Sequence, residues 1–439
     1  MSFIVSLLLL CSFSFAQETD VELSRYIRLL NLKGLPQAPA KNEALYQLGL
    51  RLFYDKQLSG KGNISCSDCH SLHGFSGDTL PLGVGEGADG LGPRRIQNQG
   101  QLLARHTPAL YNLGLPGVAS LFWDGRIMKH PTQGGWWTPE EGLNGPTPRL
   151  RDTAATLSSL LAVQSLFPIA SPEEMLGQGS TLTRVEAWQN VMTRIFNGRL
   201  GASYTRFFQA AFPTAASFNI GHVGNALAEL ERHHFLANNT PWDMYARGDK
   251  RFMTERMKKG AVVFFGKASC TNCHMGEHFT SFGFQNIGVP QVGPGVKDGD
   301  DRGLMEFTGA ETHKYRFRIT PLRNAALTSP YMHNGAFATM WEVIEHYNQP
   351  VQSLQNFRWN PRHPRLRDNM LLDARSDRMA ERIRLLAPNL SRNLSLTQED
   401  KTNLYCFLMV GLTDLKNQGA LINQGVLDEI DDCSPRLTH

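Results

Sequence analysis

The sequence predicts a mainly α-helical protein of two domains related by internal duplication, with long loops and little β-structure. Three observations carry this reading. Apolar residues recur at helical spacing, as in Leu45, Leu48, Leu52 and Phe53, whereas the alternating pattern of strands is sparse. With 40 glycines and 23 prolines the chain has turn-formers enough for long connections between helices. Four features of the first half also return, in the same order, in the second.

Taken in chain order, residues 1–16 read as a secretory leader. Phe3 to Leu10 is apolar but too short to span a bilayer, and Ser14-Phe15-Ala16 precedes the polar Gln17-Glu18-Thr19-Asp20. Leu10 directly before Cys11 makes a poor lipid-attachment site, so soluble export is expected rather than a lipid anchor. No later stretch approaches the ~18 apolar residues of a membrane helix. The first domain is set at 17–238 and the second at 241–439, with Asn238-Asn239-Thr240-Pro241 as the linker between them.

A helix covering Asn42 to Tyr54 leads through a glycine-containing loop into Cys66, and a helix with Met253, Met257, Gly260 and Phe264 on one face leads into Cys270. Downstream, Arg105 to Asn112 is echoed by Arg318 to Asn324, and Phe122-Trp123-Asp124-Gly125 by Met332-His333-Asn334-Gly335. The net charge of +4 carries no nucleic-acid footprint.

Seven cysteines are present, one of them in the leader. Cys66-Ser67-Asp68-Cys69-His70 and Cys270-Thr271-Asn272-Cys273-His274 both read Cys-x-x-Cys-His. That spacing suits covalent haem: two thiols add across the vinyl groups while the adjacent imidazole reaches the iron from one face. A redox dithiol would want a βαβ setting, and structural zinc pairs lie closer in sequence. Two haems c are therefore expected, held by Cys66, Cys69 and His70 and by Cys270, Cys273 and His274. Each half thus reads as a cytochrome-c-like domain. Cys406 and Cys433 are left as a disulfide pair that sequence alone does not decide.

Together with Phe122-Trp123-Asp124-Gly125-Arg126, Ser171-Pro172-Glu173-Glu174-Met175, Thr320-Pro321-Leu322-Arg323-Asn324 and Pro330 to Gly335, these motifs make the chain resemble the bacterial dihaem cytochrome c peroxidases. That family also contains the MauG-type enzymes, which mature methylamine dehydrogenase by oxidising tryptophans on it. The resemblance covers about Asn42 to Leu415 and implies that the haem on His70 is peroxidatic, with Gln164, Pro168 and Glu174 on its open face. A carboxylate there suits peroxide cleavage, which moves a proton from the inner to the outer oxygen. Glu173 and Glu174 read equally as first-turn acids of a helix after Ser171-Pro172. Trp123 matches a tryptophan between the haems, or is an ordinary buried aromatic.

Tyr347 lies on a stripe with Met340, Val343 and Ile344, on a helix opened by the capping box Thr339 to Glu342. His346 should face away from that stripe. By the resemblance Tyr347 is the second ligand of the haem on His274, where the peroxidases have methionine and the maturation enzyme has tyrosine. The alternative is a core tyrosine with Met332 or Met340 as ligand.

The chain departs from the family in three places. Its Leu82 to Gly90 loop has no histidine to block the first iron, with His73, His106 and His130 as outside candidates. A calcium site resembling the family's, with carbonyls at Thr328 and Pro330, has His106 where the family has asparagine, and calcium prefers oxygen. Asp298 to Gly303 resembles the start of a calcium loop but lacks later ligands, and a solvated loop is expected. Between Arg126 and Gln164 the chain has about thirty residues more than usual, including Trp136 and Trp137, as a lid, a docking surface or a decoration.

The resemblance implies a periplasmic enzyme that reduces hydrogen peroxide with electrons from a small c-type cytochrome or cupredoxin. Two alternatives stay open: peroxide-dependent oxidation of a partner protein, and a non-catalytic electron carrier. A homodimer is left open.

Overall fold

The computed structural model describes residues 18–439 except 73–74, 98, 131, 133, 145–149, 362, 369–375, 424–432 and 434–439. The expected leader and His73 lie outside the described residues.

Each half is built around one close helix crossing. In the first, helix Glu43–Tyr54 starts at Asn42, whose side chain accepts from the Leu45 amide, and buries Leu48, Leu52 and Phe53. It packs on helix Ile220–His234. The crossing is close because Gly49 carries no side chain: a Cβ there would stand 2.1 Å from the Ala226 carbonyl oxygen. In the second half, helix Glu255–Phe265 packs on Gln398–Cys406, and a Cβ on Gly260 would stand 1.9 Å from the Asn403 oxygen. The helix before each Cys-x-x-Cys-His motif is thus seated by a glycine on a helix late in its own half. This is the duplication expressed as packing.

Two large hydrophobic cores follow, with two small clusters beside them among the described residues. One gathers Trp188, Tyr204 and Phe208 from helices Arg184–Asn197 and Gly201–Ala211 around the first crossing. The other surrounds Trp242, Phe264, Phe279 and Phe407, and takes Leu23 and Leu32 from near the N-terminus. The strands are short: an antiparallel sheet of Ser120–Leu121, Ile127–Lys129 and Trp136–Trp137, and a pair of Phe284–Gln285 with Phe317–Arg318. The first sheet holds the start of the extra segment, pairing Met128 with Trp137, and the Trp137 ring lies 5.3 Å from that of Phe307. Among the described residues no helix is long and apolar enough to cross a membrane.

Two sequence expectations are corrected. Asn238 to Pro241 is not a free linker: Asn238 and Thr240 are buried, and Thr240 caps helix Pro241–Ala246 through a capping box with Asp243. Asn, Thr and Pro mark helix starts as well as loops, and here the first meaning holds. The Asp298 to Gly303 loop is not solvated at its centre. Asp301 is bound by Arg105 at 2.6 and 2.9 Å, and Asp300 by Arg382 and by the Tyr315 hydroxyl. Buried carboxylates persist when cations from elsewhere in the fold pair with them, which local composition does not reveal. Cys406 and Cys433 form a disulfide, with Cα atoms 5.2 Å apart.

Candidate functional site

The first motif begins on a single turn, Cys66–Cys69, held by Ser65, whose amide and hydroxyl both donate to the Asp68 carboxylate. Cys66 and Cys69 are unbridged. The His70 Nδ1 meets the Ser76 carbonyl oxygen at 3.0 Å. With Nδ1–H donating there, the Nε2 lone pair is left for a metal. Burial pushes the imidazole down to about 4, so it is neutral at physiological pH, as a ligand must be. Burial also pushes the Cys69 thiol up to about 12, against the Arg95 guanidinium and with help from Asp78 and Glu174.

Gln164 ends helix Leu160–Gln164, which packs on the three-stranded sheet; it is buried, and its Oε1 has no hydrogen-bond partner. Pro168 opens the next short turn. Glu174 sits in the five-residue turn Pro172–Leu176, closed by the Leu176 amide on the Ser171 oxygen at 2.9 Å. Its two acids diverge: Glu173 is exposed, while Glu174 is half-buried and close enough to bias Cys69. Both acids stand in the first turn of a helix after Ser171-Pro172, as the helix-start reading expects, although a helix of one turn supplies little dipole to hold them. The glycine loop is pressed onto this turn, since a Cβ on Gly85 would stand 1.8 Å from the Glu173 oxygen.

The second motif repeats the device. His274 Nδ1 meets the Phe279 oxygen at 2.9 Å, and burial pushes this imidazole, too, down to about 4. Cys270 and Cys273 are unbridged, and with His274 they line a cavity of about 230 Å³. Met340, Val343, Ile344 and Tyr347, on helix Met340–Asn348, face the same cavity, as the stripe predicts. Burial, followed by the Cys273 and Cys270 thiols, pushes the Tyr347 phenol up. Met332 also lines the cavity, so all three candidate ligands stand in its wall. His346 points away, its ring nitrogens on the Ile287 oxygen and the Ser353 hydroxyl, yet it is fully buried.

Trp123 lines this second cavity, and its indole N–H donates to the His106 oxygen at 2.8 Å. Phe122, one residue earlier, lies 5.8 Å from the Phe167 ring, next to Pro168. The pair therefore lies between the turn that Pro168 opens and the second cavity. Asp124 locks it: burial would raise its pKa, but Arg126 and Arg105 hold it down at about 2.

Each site's donor set fits haem: two free thiols beside a neutral histidine whose outer nitrogen is fixed by a carbonyl. Calcium fares otherwise. The His106 imidazole is buried between the Leu80 oxygen, at 2.7 Å, and the Thr328 backbone, so a nitrogen side chain holds the carbonyl expected to ligate the ion. Thr328, Pro330 and His106 do not fit calcium. His106 is thereby a seam residue and not a candidate for the first iron, and His130 lies beside the short sheet.

Sequence reasoning missed Arg95 and Arg105. Arg105 bridges the halves, pairing with Asp301 at 2.6 Å and Asp124 at 2.5 Å. Its place beside His106 in a repeated segment was the available signal. For Arg95, within a glycine-rich loop, there was none.

Known proteins resemble this chain. The pattern of the family described as di-haem cytochrome c peroxidase matches residues 43–251. The chain is a relative of the dihaem cytochrome c peroxidases. The methylamine utilization protein MauG of Methylorubrum extorquens is 29% identical over 319 residues, 72% of this chain and 70% of that protein. The cytochrome c551 peroxidase of Pseudomonas aeruginosa is 28% identical over 320 residues, 72% and 73% of the two chains. The crystal structure of a MauG-like protein associated with microbial copper homeostasis superposes with TM-score 0.60 at 25% identity, covering 87% of this dihaem peroxidase relative and 94% of that chain. The diheme peroxidase BthA of Burkholderia thailandensis, at 19% identity and TM-score 0.54, has the same fold.

Proposed function

We propose that this protein is an exported, periplasmic dihaem c-type peroxidase, taking electrons one at a time from a small c-type cytochrome or cupredoxin. The observation that carries the reading is Glu174, half-buried and close enough to act on the Cys69 thiol of a first Cys-x-x-Cys-His site whose neighbouring loop offers no histidine. Haem, when bound, supplies the iron and the stored electrons. His70 and His274 would each hold one iron, with Cys66, Cys69, Cys270 and Cys273 as thioethers.

The rest is done by the chain. Glu174 accepts the proton of an incoming peroxide at its carboxylate and returns it to the departing oxygen, a transfer typically worth 10²–10⁴-fold in rate. Gln164 and Pro168 bound the open face, the amide orienting the oxygen. Trp123, in the wall of the second cavity, would relay electrons between the two sites. Steady-state peroxide consumption with and without a reduced small cytochrome tests this: two donor molecules oxidised per peroxide is expected, and no donor-dependent consumption refutes it.

A second reading, oxidation of a partner protein, is favoured by Tyr347. A phenolate on the second iron favours higher oxidation states over electron acceptance. A plain carrier is disfavoured because it leaves Glu174 and Gln164 without a task.

A further inference from the structure

A buried guanidinium is expected to have a carboxylate, and this fold supplies one to most of its own. Arg323 is paired with Asp243, Arg382 with Asp300, and Arg105 with Asp301 and Asp124. Arg95 is 0% exposed and is paired with none: buried Asp78 is near enough to feel its charge but makes no bond to it. Its Nη2 donates to the Val84 oxygen at 2.6 Å and stands 3.5 Å from the Cys69 sulfur. Nε and Nη1 have no hydrogen-bond partner among the described residues. Three carboxylates are close enough to act on the Cys69 thiol: Asp78, Glu174 and Asp68. Asp78 is spent on the Leu80 amide and the Thr107 hydroxyl, Asp68 on Ser65, and Glu174 makes no bond to Arg95. Two nitrogens of a permanent cation are thus left bare in a buried site, a cost of several kcal/mol that an arriving anion would offset.

The second site has the same feature. Arg318 is buried, lines the second cavity, spends Nε on the Phe122 oxygen at 2.8 Å, and leaves Nη1 unpartnered. Each site thus has one buried arginine with no carboxylate bonded to it, Asp78 and Asp124 acting on the two only from a distance.

We propose that Arg95 is the anion-binding residue of the first site, its Nε–H and Nη1–H holding an anionic oxygen. This rests on the reading that a haem occupies that site. Two sources offer such an oxygen: a carboxylate of the haem itself, or an anion entering at the open face, peroxide included. Arg95 would be a positioning residue in the first case and a catalytic residue in the second.

The holoprotein with both haems in the ferric state separates these. Fluoride is titrated against the high-spin absorption of wild type, Arg95→Leu and Arg95→Lys, and the potential of the first haem is measured in each. If Arg95 serves the open face, Arg95→Leu weakens fluoride roughly 10- to 100-fold, the scale of charge-assisted hydrogen bonds, and Arg95→Lys recovers part of the loss. If it holds a haem carboxylate, fluoride affinity stays and the first potential falls in Arg95→Leu, less so in Arg95→Lys. Unchanged fluoride binding and unchanged potential, with both haems retained, overturn the proposal. Should Arg95→Leu fail to retain haem, Arg95→Gln takes its place under the same criteria. Neither readout requires turnover, so absence of peroxidase activity with either shift present would refute the enzyme reading and leave Arg95 standing.

Discussion

Arg323→Leu removes the cation from an ion pair in which both side chains are 0% exposed. Asp243 Oδ1 accepts from Arg323 Nη2 at 2.7 Å and from the Leu35 amide at 2.9 Å. Its Oδ2 accepts from Arg323 Nε at 3.0 Å, and from the Thr240 amide and hydroxyl at 3.1 and 2.7 Å. The substitution deletes the guanidinium's bonds and leaves the other three donors on a carboxylate with no counter-charge. Breaking a buried pair from one side costs about 3–5 kcal/mol. The surviving donors place this case near the lower end, about 3 kcal/mol.

The pH dependence gives a sharper check. Burial would raise the Asp243 pKa, but the Arg323 charge and its hydrogen bonds bring it below the ordinary value. In the wild type, that stabilisation is present above the unfolded pKa, near ~3.9, and is lost as pH falls through the folded one. Without Arg323, burial wins and the folded pKa lies above the unfolded one. The destabilisation is then complete at neutral pH and shrinks as pH falls toward about 4, where Asp243 folds protonated. Urea unfolding of the holoprotein followed by far-ultraviolet circular dichroism measures both quantities, and Asp243→Asn in the Arg323→Leu background should restore about half the loss. A loss below about 1 kcal/mol at neutral pH, or one that stays constant down to pH ~4, would refute the assignment of Arg323 as a structural strut.

Mass spectrometry of the denatured protein should show two haems retained, because each site presents two unbridged thiols beside its histidine; a mass with one or none contradicts covalent attachment. Glu174→Gln should leave the haem spectra intact and slow peroxide turnover about 10²-fold or more, the scale of a lost acid–base group, and unchanged turnover removes Glu174 from the site. Tyr347→Met should raise the second haem's potential by an amount on the order of 0.1 V or more, since axial-ligand identity sets that potential. A redox titration in which potential and low-spin spectrum do not move would leave Tyr347 a wall residue, with Met332 or Met340 to test next.

Much of the site was legible because its chemistry is written at short range. Two thiols and a histidine serve one haem only at the Cys-x-x-Cys-His spacing, and the period of 3.6 residues turns Met340, Val343, Ile344 and Tyr347 toward one side whatever the rest of the chain does. The duplication, the capping box at Thr339 and the absence of histidine in the Leu82 to Gly90 loop are local facts of the same kind. Tertiary structure decided what depends on residues far apart in the chain. Asp300 and Asp301, which read as solvated, are buried because Arg382 and Arg105 reach them, and the Asn238 to Pro241 linker is buried as the start of a packed helix. His106 read as a flaw in a calcium site, and only its placement between Leu80 and Thr328 shows that its ring closes the seam itself. Arg95 carried no signal at all. An arginine in a loop is ordinarily solvated, and this one acquires meaning only when folding buries it against Cys69 with no carboxylate bonded to it.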